Sequence, residues 1–460
     1  MPNDHRHART ASRAVGWAGS ALVAVGGMTA GALPLSAGSS HARLGLVGVY
    51  SGLALLLLGW WWYGKLGGSV RNAYVTLALW VAPLLVAPPM FSRDVYSYLA
   101  QGLMIDAGFD VYRHGPAVLG GLVAEQVPAM WQHTPSPYGP VFLVVAKLVT
   151  GVVDTHLIAG VLAMRLVALA GLALLALAVP VLARATGISP AHALWLAALN
   201  PLVLIHLVGG AHNDALMVGL LAIGLAAAVR HRPLLATVLV VGAALVKAPA
   251  ALGLCAVAAI WAAQLPGRWP GARAVLGVGA TAAAATVAVT TIAGTGYGWI
   301  GALSTPISAQ SWSLTGVLGR WTADVLAHDD VGAALAISLW RWAGVLATLI
   351  VAALVWTYRH RLGPLYGLGI VLVALVVFGP ALRPWYVIWG LIPLAAAARH
   401  ARVRHLLTVF CAALLPVVLP DGFAASVERA LLAVLGGLIG VLLFVAVRVS
   451  AARTPVWATR

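Results

Sequence analysis

Asp94 stands where an apolar stretch, residues 74–90, gives way to polar chain, inside Phe91-Ser92-Arg93-Asp94-Val95-Tyr96-Ser97-Tyr98. A carboxylate at the exit of an apolar helix, followed by a long polar loop, can serve as a base at a membrane surface. Two cations elsewhere suit a phosphate. Arg383 lies in the proline-bounded turn Pro380–Pro384, and Lys247 lies in Val246-Lys247-Ala248-Pro249. His212-Asn213-Asp214 offers hydrogen-bonding groups for sugar hydroxyls. Tyr96, Tyr98, Tyr138, Trp312, Trp385 and Tyr386 offer aromatic faces, and Gln310–Ser313 adds polar contacts. This set fits transfer of a sugar from a lipid phosphate. The lipid tail stays in the bilayer and the phosphate leaves as an anion that needs little protonation. The attacking hydroxyl, by contrast, benefits from a carboxylate base.

Each residue also has a plainer reading. Asp94 would cap the helix that follows it, and His212 or Asp214 would cap theirs. Trp385 and Tyr386 would anchor the chain at the interface. Arg93 would pair with lipid headgroups or an acid. Arg165 lies a few turns into an apolar helix and must find a partner there, with an acid of the first external loop expected. Arg341 is expected to be buried in the same way, without a role. His206 reads as a core histidine with satisfied ring nitrogens. Asp94, His212 and Asp214 together could hold a divalent metal. A phosphate already gripped by cations does not require one, so no cofactor is expected. Cys255 and Cys411 lie far apart in apolar segments and read as packing residues, with no disulfide or metal spacing.

The elements that position these residues follow from composition. The chain has 460 residues, 62% hydrophobic and 9% charged, which excludes a soluble globular protein. Apolar runs of about 18 residues or more recur along it, each long enough to cross a hydrocarbon core as helix. They lack the alternation of barrel strands. The net charge of +16 comes from short basic clusters between runs, such as Arg230/Arg232, Arg268/Arg273, Arg359/Arg361 and Arg399/Arg402/Arg404. That pattern marks cytoplasmic loops, and it excludes nucleic acid as the partner. Apart from Asp4, the acids lie away from those clusters.

Threading the runs with both termini cytoplasmic predicts spans near 14–34, 44–63, 74–90, 157–183, 190–208, 212–229, 273–293, 332–356, 364–379, 384–398, 404–419 and 428–447. Residues 234–265 are too few for two spans and too many for one. They are read as a broken pair of short helices with Lys247 near the outer surface; one long helix kinked at proline is the alternative. The loops 91–156 and 294–331 are external, and Gly139–Val153 is expected to lie in the outer interface rather than cross. The result is an all-α polytopic membrane protein of about 12–14 membrane helices. Residues 1–73 would form extra N-terminal helices and 74–460 a catalytic core, with Asp94, Lys247, His212 and Arg383 converging on the outer face.

The segment Phe91–Tyr98, together with Gly108-Phe109-Asp110-Val111-Tyr112-Arg113-His114-Gly115-Pro116 and Pro135-Ser136-Pro137-Tyr138-Gly139-Pro140, resembles the actinobacterial polyprenol-phosphomannose-dependent α-1,6-mannosyltransferases of the MptA/MptB type. The resemblance extends through His212-Asn213-Asp214-Ala215 and Arg383-Pro384-Trp385-Tyr386. It implies a GT-C glycosyltransferase bundle with an Asp opening the first large external loop and interfacial helices within that loop. The donor would be polyprenyl-phosphate-mannose and the acceptor a growing α-1,6-mannan of the lipomannan type, with inversion at the anomeric carbon. Asp94 would be the base. Arg383 and Lys247 would bind the donor phosphate. His212, Asn213, Asp214, Tyr96, Tyr138, Trp312, Trp385 and Tyr386 would contact acceptor or sugar, and Arg93 and Arg165 would support the site.

Two other readings use the same residues. A GT-C enzyme moving arabinose or another sugar differs in nothing the residue types reveal. A lipid-sugar transporter or flippase would place ionisable groups at the bilayer midplane on broken helices in repeated halves. This chain has one segment read as broken, no visible repeat, and a long external loop that opens with Arg-Asp.

Overall fold

The computed structural model describes residues 2–31, 39–302, 312–326, 329–422 and 426–453, and among them every regular element is helical. Gln310 lies outside these residues. An antiparallel pair opens the chain, α1 (Pro2–Ala30) and α2 (Ser40–Leu66), followed by α3 (Val70–Leu85). The long segment after α3 carries α4 (Asp94–Asp106), α5 (Gly121–Gln126), α6 (Ala129–Gln132) and α7 (Pro140–Val153). Next come α8 (Leu157–Thr186), α9 (Pro190–Leu196), and α10 (Pro201–Val203), which widens into a π turn over Leu204–Gly209. Then follow α11 (Asp214–Val229), α12 (Pro233–Ala244), α13 (Gly253–Gln264) and α14 (Pro270–Ala293). The C-terminal part comprises α15 (Gly298–Ala302), α16 (Leu314–Leu326), α17 (Asp330–Thr357), α18 (Arg359–Leu362), α19 (Pro364–Phe378), α20 (Ile388–Ala397), α21 (Ala401–Leu414) and α22 (Val427–Arg453).

Among the described residues, α2, α8, α14, α17 and α22 are long and apolar enough to cross a bilayer, and the bent pair α9–α10, with the π turn, is long and apolar enough as a unit to form either a broken span or a re-entrant loop. The 51° bend in that pair falls at Asn200-Pro201, within the segment 190–208 read from sequence as one span. Proline removes a helix hydrogen bond there and biases the preceding residue away from helix. Asn200 closes the break by accepting from the Leu202 amide.

Shorter apolar helices pack among the long ones. α3 and α11 have 16 residues, α12 and α13 have 12, and α20 has 10. Sixteen residues of helix reach about 24 Å, short of a hydrocarbon core of roughly 30 Å. The ends of such helices therefore fall inside the bundle, and polar loop residues are carried to that depth.

Residues 234–265 form two helices, not one. A Cβ built on Gly253 would sit 3.1 Å from Val240 Cγ1, whereas 13 residues of continuous helix would separate these positions by about 20 Å. The chain turns at Leu245–Lys247 and resumes as a 3-10 turn, Ala248–Leu252, ahead of α13. Lys247 is the residue at the turn.

The N-terminal pair is fastened to the rest by polar clasps. The Trp60 and Trp195 indoles each donate to the other's backbone carbonyl at 2.8 Å, with rings stacked at 4.8 Å. Ser51 donates to the Gly436 carbonyl of α22 at 2.9 Å. Cys411 is buried, as a packing residue would be, whereas Cys255 is exposed on the outside of α13. Arg341 is exposed on α17, contrary to the burial expected of it, because α17 turns most of its surface away from the bundle.

Candidate active site

Four short-helix boundaries meet at one end of the bundle. They are the segment after α3, the start of α11, the turn between α12 and α13, and the Pro384–Val387 turn before α20. Asp94, His212–Asp214, Lys247 and Arg383 come from these four places.

Asp94 opens α4 but does not cap it. The N-cap position is Arg93 and no side chain caps the helix; the Ser92 hydroxyl accepts from the Asp94 amide at 3.0 Å in a local turn. The carboxylate is thus left for other work. It is 23% exposed, and His212 Nε2 lies 3.9 Å from its Oδ2. Burial raises the Asp94 pKa above its ordinary value, opposed first by Arg383, then by Lys247 and the Ser92 hydroxyl. The backbone entering this corner is unusual. Phe91 has φ 64°, with its amide donating to the Pro420 carbonyl at 2.7 Å, and Ala211, just before His212, has φ 51°. Left-handed non-glycine residues each cost about 1–3 kcal/mol and concentrate at functional sites.

Arg165 secures the two chain segments that lead into this corner. It was expected to meet an acid. Instead its guanidinium donates to five backbone carbonyls, those of Leu85, Ala87 and Pro88 ahead of Asp94 and those of Val208 and Gly209 ahead of His212. Five donors is the full complement of a guanidinium. The broken backbone on either side leaves most of these carbonyls outside regular helix, Val208 alone among them also accepting from the Ala211 amide, and a planar fork of donors satisfies them where a carboxylate would not.

Asp214 and Lys247 form a buried pair. Lys247 Nζ lies 3.0 and 2.9 Å from the two carboxylate oxygens, and the Trp389 indole donates to Oδ1 at 2.6 Å. Asp214 is therefore neither a helix cap nor an open hydrogen-bonding group. Lys247 also faces the Tyr386 ring at 4.5 Å, and Tyr386 stacks on Trp389 at 4.4 Å. Gly139 explains how the first loop reaches this pair. The Val141 amide donates to the Leu245 carbonyl at 3.1 Å, and a Cβ on Gly139 would collide with that same carbonyl. Only glycine lets the Tyr138-Gly139-Pro140 segment lie against the α12–α13 turn.

His206, His212 and Trp385 form an aromatic stack. Trp385 is 4.1 Å from the His212 ring and 5.2 Å from His206. Trp385 is buried, so it anchors nothing at a lipid interface. None of the four imidazole nitrogens has a hydrogen-bond partner among the described residues, which overturns the reading of His206 as a satisfied core histidine. Burial lowers the His212 pKa to about 3, so this imidazole is neutral at any working pH.

The remaining candidates divide. Tyr98 donates to Asn213 Oδ1 at 3.4 Å, and Tyr98, Tyr138 and Phe142 pack edge to face. Tyr112, in the Gly108–Pro116 motif, donates to the Tyr138 carbonyl at 3.0 Å, so the two loop motifs are knit together. Tyr96 is buried, 5.9 Å from the Arg93 guanidinium, and Arg93 donates to Gln126 Oε1 at 3.0 Å where headgroups or an acid were expected. Trp312 is exposed and takes part in none of the ring contacts of the site. The next residue, Ser313, donates to the Pro380 carbonyl at 2.9 Å, so the second loop docks on the turn that leads to Arg383. The Arg383 side chain is half-buried and makes no hydrogen bond or ion pair among the described residues. Its positive charge opposes the burial-driven rise of the Asp94 pKa. Trp389 and the π turn that carries His206 were not among the sequence candidates. Within apolar helix, neither carries a local signal of its partner.

Asp214 is committed to Lys247 and Trp389, and no group of three or more His, Cys, Asp or Glu side chains converges among the described residues. What the corner offers is an uncapped carboxylate, an uncommitted guanidinium and aromatic walls at the end of a membrane bundle.

Comparison with known proteins gives this arrangement a context. Residues 13–263 match the alpha-(1→6)-mannopyranosyltransferase N-terminal domain, and residues 313–448 match the MptB C-terminal domain. The chain is 36% identical to alpha-(1→6)-mannopyranosyltransferase A of Mycobacterium tuberculosis, over 85% of this chain and 80% of that protein. It is 32% identical to alpha-(1→6)-mannopyranosyltransferase B of Corynebacterium glutamicum, over 90% of this chain and 77% of that protein.

Proposed function

From the premise that this chain belongs to the alpha-(1→6)-mannopyranosyltransferase (MptA/MptB) family and is a membrane mannosyltransferase, we propose that it moves mannose from polyprenyl-phosphate-mannose to a growing α-1,6-mannan at the outer face, with inversion. Asp94 accepts the proton of the acceptor hydroxyl as that oxygen attacks the anomeric carbon. The bond from that carbon to the phosphate oxygen breaks, and polyprenyl phosphate leaves with its charge met by Arg383. The donor tail remains among the lipid-facing helices. Such a displacement requires no general acid, and with a guanidinium on the phosphate it calls for no metal.

One observation carries this reading. The Asp94 carboxylate is free of the capping role its position invites, and the Arg383 guanidinium acting on it is bound to no protein group among the described residues. Lys247 contributes differently. Its ammonium is held by Asp214, so it shapes the pocket and adds long-range charge, and its third donor remains for the phosphate. His212, Trp385, Tyr138 and Tyr386 wall the acceptor side. In this reading Asn213, Asp214, Tyr96, Arg93 and Arg165 support those walls, and Trp312 lies outside them. The basic clusters support a cytoplasmic position for both termini and an outer one for this corner.

The test gives purified wild type and Asp94→Asn a polyprenyl-phosphate-mannose donor and a short α-1,6-mannoside. Transfer by wild type and its loss in the variant support the assignment. Undiminished transfer by the variant removes Asp94 from the base role, and absence of transfer by wild type removes the donor.

A further inference from the structure

The far end of α11 presents a second site of different character. Between the end of α11 and the start of α12 lies a cavity of about 380 Å³, lined by Ile223, Ala226, Arg230, Arg232, Leu235 and Leu239. α11 has 16 residues, so this cavity lies about 24 Å from Asp214 along the helix, at the opposite end of α11 from the catalytic corner.

The charge here has no counterpart within the local chain. No Asp or Glu occurs between Asp214 and Asp324. Arg230 and Arg232 are exposed, and neither side chain forms a hydrogen bond or ion pair among the described residues. The turn between them is tight, with His231 at φ 61°, and the amides of Arg230 and Arg232 both donate to the Ala227 carbonyl. The two arginines are thereby held at one mouth of the crevice. Its lining joins the two arginines to aliphatic side chains of α11 and α12, of which Leu235 is 45% exposed.

Two guanidinium groups without ion-pair partners among the described residues, set beside aliphatic side chains of two apolar helices, match one chemistry. We propose that this cavity binds an anionic phospholipid, with the phosphate on Arg230 and Arg232 and the first part of an acyl chain along Leu235, Leu239 and Ile223. A free phosphate would use the arginines and leave the crevice open. A neutral lipid would fill the crevice and leave the charge unmet.

The test is lipid retention by the delipidated full chain in detergent, read by native mass spectrometry. Phosphatidylglycerol, phosphatidylcholine and inorganic phosphate are offered separately. Wild type is expected to retain phosphatidylglycerol in clear preference to the other two. Arg230→Gln/Arg232→Gln is expected to lose that retention about tenfold or more. Leu235→Trp keeps both charges but fills the crevice, and is expected to lower retention as well. Arg359→Gln/Arg361→Gln removes the same charge from another basic turn and is expected to change nothing. Equal retention of phosphatidylcholine, binding of inorganic phosphate alone, or an equal loss in the Arg359/Arg361 variant would each overturn the proposal. The readout is binding, so it stands or falls separately from the transferase assignment.

Discussion

Lys247 Nζ sits within 3.0 Å of both carboxylate oxygens of Asp214, joining the α12–α13 turn to the start of α11. Both residues are sequence candidates for substrate contact, yet each is the other's chief partner. Removing Lys247 leaves a buried carboxylate without its counter-ion. Such a loss costs about 3–5 kcal/mol, while removing both charges together costs much less. Thermal unfolding in detergent is expected to fall steeply for Lys247→Met and to recover in Asp214→Asn/Lys247→Met. A full recovery of transfer in that double variant would show that Lys247 has no part in donor binding.

Asp94→Asn is expected to lower transfer by roughly 10²–10⁴-fold, the usual range for a positioned base. The Asp94 side chain makes no cap hydrogen bond to α4, so no helix cap is lost in this variant. Burial raises the Asp94 pKa, so the folded state binds this proton more tightly than the unfolded chain does. The associated stability is present at low pH and is lost as pH rises through the raised value. At neutral pH the variant is expected to melt at the same temperature as wild type or higher. A large drop in melting temperature would assign Asp94 a structural role.

The same shift sets the pH profile. The base form of Asp94 disappears as pH falls through its raised pKa, so the acidic limb of transfer is expected above the ordinary carboxylate value of about 4. His212, with its pKa lowered to about 3, is neutral throughout that window. His212→Gln is expected to reduce the rate without moving the acidic limb, and Asp94→Glu is expected to move it. A limb that shifts only with His212 would make the imidazole the titrating group.

Arg383 is expected to act on the donor. Arg383→Gln should lower kcat/KM by about 10²–10³-fold, the usual scale for removing one donor to a developing anion. Arg383→Lys should recover only part of this, because an ammonium cannot reproduce the planar fork on a phosphate. Steady-state kinetics with varied donor at saturating acceptor separates this from an acceptor effect.

Arg165→Lys is expected to destabilise the protein by ~3 kcal/mol or more. An ammonium has three donors for five carbonyls, and each buried acceptor left unmet costs about 1–3 kcal/mol. The loss is structural, so unfolding rather than donor affinity is the measurement that detects it.

Much of this was legible in the residues. Asp94 stood out because acids are scarce and because it follows an apolar run, and the turn at Lys247 was marked by Ala-Pro after a span of the wrong length. Gly139–Val153 reads as a separate apolar helix, and α7 occupies those residues after a glycine whose need is explained by the Leu245 carbonyl. Other features were hidden. Nothing local to Arg165 says that its partners are carbonyls, since those become orphans only when α3 ends and the π turn opens. The Asn200-Pro201 break falls inside the single span read over 190–208, whose flanks are mostly apolar. Trp389 lies in a run of apolar residues that gives no sign of an acid facing it.

What the sequence determined by itself is the medium and the inventory. Apolar run length fixes helices in a bilayer, basic clusters suggest their sidedness, and the scarcity of acids singles out Asp94 and Asp214. Those properties depend on residue type and spacing along the chain. Only the tertiary structure decided which carboxylate is paired and which is free, because that depends on which helix ends share a depth within the bundle. Short helices bring Asp214 against Lys247 and Trp389 while the Asp94 side chain opens α4 without capping it, a distinction between two acids that look alike in one dimension.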